Sequence, residues 1–146
     1  MEGKLDQILL LGWGHENWTG SQHRLAAMSN YDKVKAAKKM VLESDDFARV
    51  HTRPEWCTAF NELIQRLHCE REFRNSLVHS EYLFHFVELG HPPMKSDRRR
   101  NGRVVEFDNT DFSNDLQEKF MLRLGKLSMD VNFTHVQLVA DYKAAC

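Results

Sequence analysis

The segment that most restricts the fold is a long helical pattern that begins at Thr52. Thr52 and Glu55 have the spacing of a capping box, and Pro54 lies in the first turn, where a helix tolerates proline. Apolar residues then recur within one stripe of about 100° around the helix. They are Trp56, Phe60, Leu63, Ile64, Leu67 and Val78. The sequence therefore predicts one long amphipathic helix that forms the spine of the fold.

Two arginines interrupt this apolar stripe. Arg71 and Arg74 fall in the same angular sector as the apolar residues. An unpaired buried charge costs several kcal/mol, so an arginine in a core-facing stripe needs a special position. We expect these arginines to be paired, to line a cleft or to lie at a subunit interface.

Two more helices are predicted before this spine. Residues 1–30 have a poorly defined pattern that contains one short helix, Lys4 to Leu11, followed by several glycines. Ser29 or Asn30 then caps a helix from Tyr31 to Glu43, which has an apolar face beside a lysine-rich face.

After Glu81 the helical stripe is lost, and the chain either continues for one more turn or forms a strand. Asn101 and Gly102 form the dipeptide preferred in two-residue hairpin turns, which predicts a small β-hairpin over residues 94–107. A closing helix follows capping residues between 108 and 114. Its apolar positions are Leu116, Phe120, Leu124, Leu127 and Val131. We therefore expect a mainly α fold in a single domain, 1–146.

Composition and charge exclude several classes of protein. The net charge of −1 gives no overall attraction to nucleic acid or membranes, so any basic surface must be local. No apolar run approaches the roughly 18 to 20 residues of a membrane span, and no signal peptide is recognisable. Three cysteines without paired spacing, and histidines without ligand spacing, predict no disulfide framework, no metal and no cofactor. We expect a cytoplasmic protein.

Candidate chemistry lies near the end of the spine helix. Asn75 and His79 are four residues apart and share a face, and the long side chain of Arg74 reaches towards the same edge. Histidine acts as an acid or base near neutral pH, and guanidinium binds phosphate with two hydrogen bonds. This combination suits phosphodiester chemistry without a metal. Alternatively, the arginine pairs with an acid such as Glu70 and the histidine caps the helix.

The segment Arg74–Asn75–Ser76–Leu77–Val78–His79 resembles the Arg, polar residue, three spacers, His motif of the HEPN superfamily. The similarity extends over about 110 residues, 31 to 143, because the motif closes a long helix flanked by an earlier and a later helix. The resemblance implies a HEPN-like helical bundle with a small β-hairpin inserted before the long C-terminal helix.

The resemblance also implies a homodimer in which two Arg and His motifs form one composite site, and a metal-independent endoribonuclease activity. Arg74, Asn75 and His79 would be the catalytic residues, with Arg71 and Tyr82 in support. Toxin members often have a tyrosine two positions after the histidine, whereas Glu81 occupies that position here and Tyr82 follows it. The expected context is a bacterial stress response, a toxin–antitoxin pair or anti-phage defence.

A second candidate is the basic stretch around the predicted hairpin. Its members are Lys95, Arg98, Arg99, Arg100 and Arg103. Arginines on a projecting hairpin can contact RNA phosphates, which gives affinity without sequence preference. Acidic residues from Glu106 to Glu118 follow directly, so the same arginines can instead be neutralised within the protein or across a dimer.

Two functions are compatible with these residues. The first is a ribonuclease that cleaves RNA by attack of the 2′-hydroxyl, alone or with an antitoxin or another defence protein. The second is a non-catalytic HEPN-like module that binds a protein or a nucleotide within a larger complex. The surroundings of His79 discriminate between the two functions. A ring open to a basic groove near a second Arg74 favours the ribonuclease, and a ring covered by neighbouring residues favours the binding module.

Overall fold

The computed structural model describes the backbone of residues 2–91, 93–101 and 104–144. The side chains of residues 2, 79, 81, 83–86, 97–101, 104–109 and 111 lie outside this description. The helices are α1 (Glu2–Trp13), α2 (Trp18–Ala27), α3 (Asn30–Glu43), α4 (Ala48–His51), α5 (Pro54–His79) and α6 (Asn114–Asp141). The strands are β1 (Glu81–Leu83), β2 (Met94–Asn101) and β3 (Val104–Asp111). The mainly α prediction is confirmed.

The predicted helices are present with small changes at their ends. Lys4 to Leu11 lies within α1, and Ser29 caps α3 by accepting a hydrogen bond from the backbone of Asp32. The capping-box prediction at Thr52 was wrong, because its hydroxyl donates to the carbonyl of Arg49 and closes α4. Helix α5 instead begins at Pro54, and the N–H of Cys57 donates to the carbonyl of Arg53 at its start.

The region after α5 is a three-stranded antiparallel sheet in the order β1–β2–β3. The chain therefore takes the strand alternative after residue 80. Strands β2 and β3 pair from Met94 opposite Asp111 to Asn101 opposite Val104, which confirms the predicted hairpin and extends it by four residues. The turn prediction for Asn101 was wrong, because Asn101 is the last residue of β2 and pairs with Val104. Residues 102 and 103 of the turn lie outside the described residues. Ser113 then caps α6.

The chain divides into two compact units. Unit 1 comprises Met1–His68 and Lys126–Cys146, and unit 2 comprises Cys69–Gly125. The prediction of a single domain over 1–146 stays a prediction.

Unit 1 contains a continuous apolar core. Helix α1 packs against α2 and α3, and the first part of α5 and the second part of α6 complete the cluster. Its most deeply buried members are Ile8, Leu9, Ala37, Val41, Phe47, Val50, Ile64, Leu127, Val131 and Leu138. The apolar stripe predicted for α5 is confirmed here at Phe60, Leu63, Ile64 and Leu67, all buried.

Unit 2 contains the end of α5, the sheet and the first part of α6. The side chains that the structure describes as buried in this unit are polar: Glu70, Lys95 and Ser96. The predicted burial of Val78 was wrong, because 68% of its surface is exposed. The buried stripe of α5 therefore ends before the Arg–His motif.

Candidate phosphodiester site at the end of helix α5

Helix α5 carries the predicted motif on its last two turns. After Pro54 it contains neither glycine nor proline, so it continues unbroken to His79. Arg74 and Asn75 are exposed. The backbone of His79 forms the last helical residue, while its side chain lies outside the described residues. The two described side chains are thus accessible from solvent at the C-terminal end of a long helix.

Arg71 and Arg74 occupy different environments. Arg71 is half-buried, and its guanidinium lies 3.6 Å from the carboxylate of Glu72. Arg74 is exposed. Its expected place in a cleft or at a subunit interface stays a prediction. The stripe describes only direction around the helix, and no apolar core continues opposite its last two turns among the described residues of unit 2.

The carboxylate suggested as an alternative partner for Arg74 is held by another arginine. Glu70 is buried and accepts a hydrogen bond from Nη2 of Arg123 of α6 at 3.1 Å, and Nε of Arg123 forms an ion pair with its other carboxylate oxygen. The Arg123 guanidinium also lies 5.1 Å from the ring centre of Phe73 and 5.6 Å from that of Phe120. This cluster fixes α5 to α6 directly before the motif begins.

Sequence reasoning missed Arg123, although a signal was present. Arg123 lies three residues after Phe120 and four before Leu127, in the angular sector of the apolar positions of α6. The argument applied to Arg71 and Arg74 on α5 would have identified Arg123 as an ion-pair candidate in the same way.

Polar side chains fix the C-terminal end of α5. The last four carbonyls of a helix have no partner within the helix. The Ser80 hydroxyl donates to the carbonyl of Ser76, and the Tyr82 hydroxyl donates to the carbonyl of Leu77 at 2.7 Å. The half-buried Tyr82 ring packs edge-on against Phe112, with ring centres 5.6 Å apart. Tyr82 therefore fixes the C-terminal end of α5.

Lys95 is also directed at this helix end. It is 95% buried, and its ammonium group donates to the hydroxyl of Ser76. A cation is favoured beside the C-terminal carbonyls of a helix, where the helix dipole is negative. This burial removes Lys95 from the set of residues expected to contact RNA, because its charge already has a partner inside unit 2.

The remaining basic residues lie on or beside the hairpin. Arg98, Arg99 and Arg100 are on β2, with side chains outside the described residues, and Arg103 lies entirely outside them. The backbone register sets Arg99 opposite Glu106 of β3. Both predicted roles for these arginines, contact with RNA and neutralisation by acidic residues, stay predictions.

Unit 1 contains a separate open groove between the first part of α5 and the second part of α6. Trp56, Phe60 and Leu63 line one side, and Phe133 lies on the other. Two polar contacts cross its rim: the Trp56 indole donates to Gln137 at 2.8 Å, and Arg66 pairs with Asp130 at 2.8 Å.

One histidine in unit 1 has a shifted pKa. Partial burial lowers the pKa of His135 below its ordinary value of 6.5, and the positive charge of Lys4 lowers it further. Among the side chains that the structure describes, no three His, Cys, Asp or Glu residues come together as a metal site.

Comparisons with protein-family models, with curated proteins and with solved structures find no match for this chain. None of the described helices is both long and apolar enough to cross a membrane.

Proposed function

We propose that the protein is a metal-independent endoribonuclease whose site is the end of α5. The observation that carries this proposal is the unbroken helix through His79, with Arg74 and Asn75 exposed on its last two turns. Because residues 75 and 79 are one helical turn apart, their side chains start from the same face. The resemblance of this segment to the HEPN motif supplies the reaction class.

The proposed reaction uses three side chains. His79 removes the proton from a ribose 2′-hydroxyl, whose oxygen attacks the adjacent phosphorus, and a protonated histidine returns a proton to the departing 5′-oxygen. The Arg74 guanidinium stabilises the charge that develops on the phosphorane, and Asn75 orients the reacting groups. The products are a 2′,3′-cyclic phosphate and a 5′-hydroxyl, so this step consumes no water and requires no metal.

The surrounding residues have supporting roles in this proposal. Tyr82, Ser80 and Lys95 hold the helix end through the hydrogen bonds to residues 76 and 77. Arg98, Arg99, Arg100 and Arg103 contact RNA phosphates, and Lys95 is excluded from that set by its burial. A homodimer that brings two motifs together, acting in the cytoplasm in a stress or defence response, completes the proposal.

The test is cleavage of varied RNAs in EDTA by the wild type and by folded Arg74→Ala and His79→Ala variants. Arg66→Ala is the matched control, because Arg66 is another exposed arginine of α5 that pairs with Asp130 outside the motif. We expect both motif variants to lose at least 100-fold in rate and the control to cleave like the wild type. The product ends should be cyclic phosphates.

Two outcomes contradict the ribonuclease proposal. Cleavage that survives in both motif variants would indicate a contaminating nuclease or another site. No cleavage by the wild type, with RNA or nucleotide binding that Arg74→Ala weakens, would favour the non-catalytic binding module.

A further inference from the structure

The second half of α6 has two apolar faces. Leu127, Val131 and Leu138 are buried in the core of unit 1. A second set faces solvent: Met129, Phe133, Val136 and Ala140, of which the first three are 60%, 62% and 57% exposed. A typical surface helix has one apolar face, which packs on the core, and its opposite face is polar. The second apolar face therefore requires its own explanation.

The exposed set has the spacing of a coiled-coil seam. Its members are separated by four, three and four residues, which is the alternation of core positions in a heptad. We call Met129, Phe133, Val136 and Ala140 the α6 seam. All four lie within unit 1.

We propose that the α6 seam pairs in antiparallel orientation with the α6 seam of a second copy of this chain. A two-fold interface must contain both partners of each contact within one surface. With the axis between Thr134 and His135, Phe133 meets Val136 of the second copy, and Met129 meets its Ala140. Every layer then pairs a larger side chain with a smaller one, which is how facing core positions fill space.

The polar residues beside the seam agree with this register. Asp130 lies near Gln137 of the second copy, where a carboxylate can accept from an amide, and no like charges face each other across the four layers. One layer further out, Lys126 would meet Lys143, which lies beyond the last residue of α6. The seam is therefore limited to four layers.

The size of the seam predicts a weak dimer. A stable interface typically uses about 20 to 30 residues of each partner. The four seam residues and the few side chains beside them on one helix fall well below that number. We expect a reversible dimer with a Kd in the micromolar range.

This inference goes beyond the proposed ribonuclease and is an alternative to the motif-to-motif homodimer proposed there. It uses none of the motif residues and applies equally to a chain without nuclease activity. Its test is therefore separate from the cleavage assay.

The first experiment is sedimentation velocity of the full chain from about 5 to about 200 µM, the range that brackets such a Kd. Phe133→Asp places a charge in the seam. Ser128→Asp is the matched control, because Ser128 is exposed on the same helix but outside the seam. We expect a concentration-dependent dimer for the wild type and the control, and a Kd at least tenfold higher for Phe133→Asp, with unchanged circular dichroism.

A wild type that stays monomeric over this range overturns the proposal. So does a Phe133→Asp variant that dimerises like the wild type. Arg74→Ala distinguishes the seam from a motif-to-motif dimer: it should dimerise normally, and loss of the dimer in that variant alone would place the interface at the motif.

The second experiment tests the register by cross-linking. In a Cys69→Ser, Cys146→Ser background, a Met129→Cys chain is mixed with an Ala140→Cys chain and mildly oxidised. The antiparallel seam predicts that the mixed disulfide dimer dominates. A dominant homodimeric disulfide of the Met129→Cys chain would indicate parallel pairing and overturn the proposed register.

Discussion

The described side chains of the two units are buried by different kinds of contact. Unit 1 buries aliphatic and aromatic side chains from α1 through α6 in one cluster. In unit 2, the described side chains that reach comparable burial are Glu70, Lys95 and Ser96. Glu70 pairs with Arg123, and Lys95 donates to Ser76. The motif helix end belongs to unit 2.

This difference has a consequence for function. Apolar burial has no strong directional preference, whereas a hydrogen bond or ion pair fixes the relative position of two groups. Contacts such as Tyr82 to Leu77 and Lys95 to Ser76 therefore position the end of α5 more narrowly than apolar packing alone would. A site that must hold Arg74 and His79 in register benefits from that kind of support.

The largest effect should come from a cavity in the core of unit 1. Leu138→Ala removes a fully buried side chain, and we expect the free energy of unfolding to fall by about 2–5 kcal/mol. Val139→Ala is the matched control, because the neighbouring Val139 is half exposed and should cost less than about 1 kcal/mol. Urea unfolding monitored by circular dichroism measures both. Equal losses would show that unit 1 does not depend on this core.

The next effect tests the ion pair of unit 2. Arg123→Ala leaves the buried carboxylate of Glu70 without its hydrogen bond and ion pair to Arg123, and we expect a loss of about 1–3 kcal/mol in unfolding free energy. Arg66→Ala breaks an exposed pair with Asp130 and should cost about 0–1 kcal/mol.

A double-mutant cycle with Glu70→Gln separates the pair from the aromatic contacts of Arg123. If Arg123→Ala costs no more than Arg66→Ala, the polar cluster does not stabilise unit 2, and the contrast between the units is lost.

A smaller effect is expected at the end of α5. Ser76→Ala removes one acceptor from the buried ammonium of Lys95, and we expect local stability to fall by about 1 kcal/mol. Hydrogen exchange should show faster exchange of amides in β2 and in the last turn of α5, with unit 1 unchanged. Asn75→Ala is the control, because Asn75 is exposed on the same turn. Uniform acceleration in both units would contradict separate stabilisation.

The sequence predicted most of the helices because their periodic patterns are local. The stripe of α5 was correct from Phe60 to Leu67 and wrong at Val78, since periodicity gives a direction around the helix but not whether a core lies there. The start of α5 lies at Pro54 and not at Thr52, because the Thr52 hydroxyl donates to the carbonyl of Arg49 in the preceding turn. Both errors come from contacts that a single helix does not encode.

The candidate site was predicted from the spacing of Arg74, Asn75 and His79 along one helix, and α5 includes all three positions. The buried position of Lys95 could not be predicted, because it depends on β2 placing that residue against the end of α5, nineteen positions away from Ser76. The neighbouring arginines carry the same charge as Lys95 but occupy other positions along the strand. A cluster of like charges in a sequence therefore does not define a common surface.

The smallest expected effect concerns a titratable group in unit 1. His135 is half-buried, and its pKa lies below the ordinary value of 6.5 because burial and Lys4 disfavour the charged ring. Between the two pKa values the unfolded chain binds more protons than the folded one, so unfolding free energy rises with pH. The stabilisation is complete above about 6.5 and is lost as the pH falls through the folded pKa.

His135→Gln should remove this part of the pH dependence, so the difference in unfolding free energy between about pH 5.5 and about pH 7.5 becomes smaller than in the wild type. Lys4→Gln should act in the same direction, because without the nearby ammonium the pKa of His135 rises towards its ordinary value. An unchanged pH dependence in both variants would mean that acid sensitivity arises elsewhere.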